Sequence, residues 1–198
     1  MSEWWTYRLS DFLMFSPGTY WRLVELYNRE VWPAQVAALA AGVTLLVLAG
    51  LRPAAANRVI PATLALAWWW VGWAFHWQRY VTINWAASEF AVAWWIEAGL
   101  LGWAALGHAG GGARECGPAL RAIGWTLAVF GVLLYPWAGA AAGRPLAQAE
   151  VFGLMPEPTA LTTLGLLLVR SPGRTVRLAI VPLLSLLVGA ATLWLLSG

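Results

Sequence analysis
The chain has 198 residues, of which 61% are hydrophobic, only 11% are charged and 16 are tryptophan. A soluble domain carries about 25% charged residues, so most of this surface faces something other than water, and lipid is the expected solvent. Arginine supplies all 12 basic residues against 9 acidic ones, and a net charge of +3 spread over short connections orients helices in a bilayer rather than marking a nucleic-acid surface.

The start, MSEWWTYRLSDF, has no basic segment leading into an apolar run and a small-residue cleavage site, so it is read as mature sequence rather than a signal peptide. Residues 1–30 form an N-terminal amphipathic segment. Ser16 and Pro17 suit an N-cap and a first helical residue, and Tyr20, Val24, Tyr27 and Val31 recur at helical steps on one face. That helix is expected on the membrane surface or packed across the bundle, as an anchor or as a lid.

Residues 31–198 read as one transmembrane bundle domain. Apolar runs cover 34–51, 59–77, 86–107, 118–135 and 176–196. A further run, 146–169, is interrupted by Pro156 and Pro158, and Pro136 is expected to kink or end the run before it. The expected fold is all-α, a polytopic transmembrane helix bundle of about six spanning helices. Seven arginines fall near the ends facing one side and five near the other, which places both termini outside the cytoplasm. Cys116 is the single cysteine, so neither an intramolecular disulfide nor a thiolate metal cluster is expected.

The second and third runs flank the short connection QRYVTINW as an antiparallel pair. Folding this hairpin about residues 81 and 82 sets Trp69 level with Trp94, an aromatic layer near the bilayer centre. The layer is either bulky packing or a wall for a flat hydrophobic ligand such as a porphyrin, quinone or carotenoid. Trp69, Trp73, His76 and Tyr80 fall on one helical face, and His76 comes within reach of Glu89 on the next helix, with Asn84 at the same mouth. Glu97 lies about eleven residues into the third run, where an ionised carboxylate is costly and faces the bundle interior or a water-filled cavity. It is either a structural hydrogen-bond donor or a carboxylate that handles a proton or a cation.

The segment AEVFGLMPEPTALTTLG reads as two half-helices separated by PEP, or as an outer loop with a short interfacial helix, 146–155, followed by a short spanning helix. Breaks at membrane depth line cavities in many transporters. Glu150 and Glu157 flank this one, and Thr159, Thr162 and Thr163 line the first turns after it. Nucleotide-binding, serine-hydrolase and zinc-protease motifs are absent from the sequence. His76 and His108 end their runs on opposite sides, which argues against a haem held by both.

At LSDFLMFSPGTYWRLVELYN (9–28), YVTINWAA (80–87) and VFGLMPEPTALTTLGLLL (151–168) the chain resembles an uncharacterised bacterial family of six-helix integral membrane proteins of about this length. The resemblance implies a bacterial inner membrane and no established activity. The porphyrin-binding tryptophan-rich sensory proteins are similar only in size and composition. The leading expectation is a small-solute or ion permease, with Glu97, Glu89, His76, Asn84 and the 150–163 segment as its polar path. A membrane binding protein for a flat hydrophobic ligand is the alternative, and an accessory subunit of a larger complex is a third. Enzyme activity comes last, the cofactor is unknown, and homo-oligomerisation is left open.

Overall fold
The computed structural model describes residues 15–107, 117–170 and 177–197. Residues 1–14 of the amphipathic segment, the glycine-rich connection after residue 107, and His108 lie outside them. The described residues are helical, with no strand among them.

Helix α1 (Pro17–Glu30) begins as its sequence requires: Ser16 accepts a hydrogen bond from the Thr19 amide at 3.2 Å and Pro17 occupies the first turn. Tyr20, Val24 and Tyr27 are buried, so α1 packs across the bundle by the face its periodicity marks. Polar contacts hold it there. The Tyr27 hydroxyl donates to Leu154 O at 3.2 Å and accepts from the Trp70 indole at 3.1 Å, while the Asn28 amide donates to Ala147 O and Ala149 O. Arg79 pairs with Glu30 at 2.7 Å and stands over the Tyr27 ring at 5.0 Å. Burial pushes the Tyr27 hydroxyl up to about 12, against the opposing Trp70 hydrogen bond and the Arg79 charge, so it stays a donor at neutral pH.

Helix α2 (Ala34–Leu51) spans the length expected of it and ends at Arg52, a left-handed residue whose amide returns to Leu48 O. Helix α3 (Ala56–Trp70) runs on into a π-helical turn, Val71–Trp77, in which the Gln78 amide reaches back five residues to Trp73 O at 3.0 Å. After the tight connection 78–86 comes helix α4 (Ala87–Ala105), packed along α3 and its π extension. Helix α5 (Pro118–Val129) also passes through a π turn, Phe130–Leu134, into helix α6 (Tyr135–Ala141). Pro136 therefore does not end the run. The wider turn ahead of it absorbs the amide that proline cannot donate, and the helix continues.

Helix α7 (Pro156–Arg170) starts at the proline pair, and helix α8 (Ile180–Ser197) closes the bundle against it. The first of the two expected half-helices does not form. Leu146–Gln148 make one 3-10 turn, and the chain from 150 to 155 is buried without being helical. Its backbone groups are still satisfied. Met155 N and Leu154 N bond to Val151 O, and Gly153 N donates to the Thr159 hydroxyl at 2.8 Å, which donates to Met155 O at 2.7 Å.

Helices α5 and α7 approach at backbone distance. A Cβ at Gly165 would overlap the backbone nitrogen of Ala128, and one at Gly124 would come within 2.9 Å of Gly165 O. Helices α3 and α7 are tied by the Trp68 indole, which donates to the Thr163 hydroxyl at 2.8 Å, while Thr163 donates to Thr159 O. In a double-mutant cycle of Trp68→Phe and Thr163→Val we expect a coupling energy of about 1 kcal/mol, measured by chemical unfolding in micelles. Strictly additive losses would show that this bond contributes nothing.

Two helical stretches, Ala34–Leu51 and 118–141, are long and apolar enough to cross a membrane, and Ile180–Leu196 is a shorter apolar helix. Many large apolar side chains point outward, Val47, Leu66, Ile96, Leu133 and Leu187 among them. The interior holds His76, Glu97, Glu150, Glu157 and the threonines 159, 162 and 163.

Candidate functional site
The inward face of the third helical stretch is a four-residue series. Ala56, Ile60, Leu64 and Trp68 of α3 are buried, and the series continues through the π turn as Gly72 and His76 to Tyr80. Trp69 and Trp73 lie beside it and point out, 50% and 39% exposed and stacked on each other at 5.9 Å. The expected pairing of Trp69 with Trp94 is corrected by one residue: Trp68 stacks on Trp94 at 3.8 Å. Gly72 permits the approach, since a Cβ there would stand 2.9 Å from the Trp95 indole nitrogen.

His76 is enclosed by rings. Phe75, Tyr80, Phe90 and Trp94 all lie 5.3 to 5.9 Å from it, centroid to centroid, and neither imidazole nitrogen has a hydrogen-bond partner among the described residues. The expected bond to Glu89 is not formed. Glu89 is exposed, because α4 turns Ala87, Ala91 and Trp94 inward and leaves residue 89 on the other side.

Glu157 enters the same space from the first turn of α7, where the helix dipole favours a carboxylate. It is buried against the backbone of Gly189 on α8, where any side chain would collide with its carboxyl group, and its Oε2 has no partner. Between these two groups lies a cavity of about 300 Å³, roofed by Tyr20 of α1 and bounded on the far side by Ser185, Val188 and Thr192 of α8. Its lining is overwhelmingly apolar and aromatic, with His76 and Glu157 as its titratable groups apart from the tyrosines. The volume is at the small end of the range for ligand pockets.

Behind the cavity, Glu150 adjoins Glu157 and pairs with Arg144 at 3.1 Å. The Arg144 guanidinium lies 3.6 Å from the ring centroid of Trp21 on α1. Burial, reinforced by the charges of Glu157 and Glu150, holds the Tyr20 hydroxyl well above its usual range, so the roof of the cavity stays neutral. Glu150 is 2% exposed and its second oxygen has no partner.

Of the residues singled out in the sequence, His76, Tyr80, Trp94 and Glu157 meet around one cavity, with Glu150 adjacent. Asn84 accepts from the Ala86 amide just ahead of α4, Thr159 is spent on Gly153 N and Met155 O, and Thr163 on the Trp68 indole and Thr159 O. Glu97 is fully buried with neither oxygen partnered, and it does not line the cavity. Tyr20, Phe90, Arg144, Gly189 and Thr192 were not assigned to the site from sequence. Arg144 carried a signal, as an isolated charge six residues before Glu150 in an otherwise apolar stretch, whereas Gly189 looks like any glycine of an apolar helix. No group of three or more His, Cys, Asp or Glu side chains that could hold a metal ion occurs among the described residues.

The chain belongs to DUF6064, a family of unknown function, whose model matches residues 18–197. No curated protein and no solved structure matches it.

Proposed function
We propose that this DUF6064 chain is a six-crossing integral protein of the bacterial inner membrane with both termini outside the cytoplasm, and that it is a small-solute permease whose substrate occupies the His76–Glu157 cavity. The observation that carries the proposal is an inverted distribution of polarity. Large apolar side chains cover the outside of the bundle, while unpartnered polar atoms of His76, Glu97 and Glu157 are held inside it. Glycine-mediated crossing of α5 and α7 is the packing that lipid-embedded helices favour, because burial against lipid supplies no hydrophobic drive. Trp32, Trp85, Trp137 and Trp194 are exposed near the ends of α2, α4, α6 and α8 that would share one interface, which fits an indole belt. The buried, non-helical 150–155 segment is the kind of backbone tolerated at membrane depth only inside protein.

A one-sided binding protein for an apolar ligand is the second reading, favoured by the aromatic lining. The Trp68–Trp94 stack itself is closed, so such a ligand would sit on the cavity face of Trp94.

Cysteine accessibility separates the two readings. In a Cys116→Ser chain carrying Ser185→Cys on the cavity wall, a membrane-impermeant methanethiosulfonate should modify the thiol both in intact cells and in inverted vesicles if the site alternates. Modification from one side alone selects the binding protein. A thiol that reacts from neither side would sink both. Ser2→Cys in the same background should label in intact cells, and labelling in inverted vesicles only would reverse the orientation.

A further inference from the structure
The polar groups around the cavity do not balance. Arg144 is the one cation acting on Glu157 among the described residues, and it faces two buried acids, Glu150 and Glu157. Its guanidinium is bonded to Glu150 and stacked on Trp21, which leaves Glu157 without a counter-charge of its own. Glu157 and Glu150 share a hydrogen bond, so a proton stands in for the missing counter-charge until a cation takes its place. The cavity also supplies a second recognition element. Tyr20, Phe75, Tyr80, Phe90 and Trp94 surround the space beside Glu157, and aromatic faces attract cations most strongly where water is excluded.

We infer that the occupant of this cavity is a small organic cation, an alkyl- or aryl-ammonium whose charge pairs with Glu157 and whose apolar groups lie against the rings of Phe75, Tyr80, Phe90 and Trp94. This rests on reading the cavity as a substrate site. An anion would meet the Glu157 carboxyl group with no cation among the described residues lining the cavity. A neutral hydrocarbon would fill the space without using the carboxyl group of Glu157. Where the ligand carries N–H groups, the unpartnered nitrogens of His76 and the Thr192 hydroxyl supply further polar contacts on the same lining.

A proton is the natural competitor for Glu157, so substrate and proton exclude each other there. The groups facing it are Glu150 and Arg144 from the connection before α7, Tyr20 from α1, Tyr135 from α6, and His76 and Tyr80 from the α3–α4 hairpin. Of these Arg144 alone carries a fixed positive charge, so cation binding weakens as pH falls and Glu157 takes up a proton.

Equilibrium dialysis of radiolabelled phenyltrimethylammonium against the purified full chain in lipid nanodiscs tests the inference, with empty nanodiscs as background. The uncharged isostere tert-butylbenzene and the anion benzenesulfonate serve as competitors. We expect saturable binding that neither competitor displaces, that falls about tenfold or more in Glu157→Gln, and that weakens between pH 8 and pH 6. The wild-type competition stands even if the variant fails to fold. Equal displacement by tert-butylbenzene would show an occupied cavity that does not read charge, which overturns the cation and leaves the substrate site. If no compound binds while Ser185→Cys still reacts with the impermeant reagent, the cation class falls and the cavity stands. If that thiol is unreactive too, both fall.

Discussion

Replacing Arg144 with Met should destabilise the protein by about 3 kcal/mol or more, and adding Glu150→Gln should restore most of the loss. Arg144 is bonded to a carboxylate that is 2% exposed, with a second buried acid beside it, so its removal leaves that interior charge without a cation among the described residues. Part of the loss belongs to the stack on Trp21, which the second substitution cannot return. The pH dependence has a definite sign. Without Arg144 the buried Glu150 charge is offset only by a proton, which is taken up at low pH and lost at high pH. Arg144→Met should therefore lose more stability at pH 8 than at pH 5, measured by chemical unfolding in micelles. A variant as stable as wild type at pH 8 would show that water or lipid headgroups compensate Glu150.

The second large effect is expected at the α5–α7 crossing. Gly165→Leu should cost about 3 kcal/mol or prevent folding altogether, because even a Cβ there overlaps the backbone of Ala128, and backbone cannot swing aside as a side chain can. The damage would spread, since α7 also carries Glu157 and Thr159, whose hydroxyl bonds Gly153 N and Met155 O. Gly99→Leu on α4 is the matched control. Nothing lies within 4 Å of a Cβ at Gly99, and its substitution should change stability by no more than about 0.5 kcal/mol. Size-exclusion profiles and thermal aggregation of the two variants in detergent would decide the matter. Equal behaviour would mean that the α5–α7 contact is not the stabilising crossing.

Much of the helix layout is legible in the order of the amino acids alone. Ser16 and Pro17 announce α1, the spacing of Tyr20, Val24 and Tyr27 names its buried face, and uninterrupted apolar sequence bounds α2 at residues 34 and 51. Counting back from the α3–α4 connection places Trp94 at the right depth, one residue from its true partner. These are local properties, and a helix's start, end and apolar face follow from nearby residues alone.

What the tertiary structure decided is the rotation and the pairing. Through the π turn at Val71–Trp77 the buried four-residue series of α3 carries on to His76 while Trp73 stays outside, and no residue in that stretch marks the turn. The same holds for the 150–155 segment, which has the composition of a half-helix but stays non-helical because Tyr27, Asn28 and Thr159 take up polar groups of the 147–155 backbone. Charge compensation is likewise non-local. Arg144 and Glu150 are near neighbours in the chain, but Glu157 owes its burial to Gly189, more than thirty residues on, and to the roof that α1 lays over the cavity. A sequence determines which residues are able to meet at one depth, and only the packing of all the helices determines which of them do.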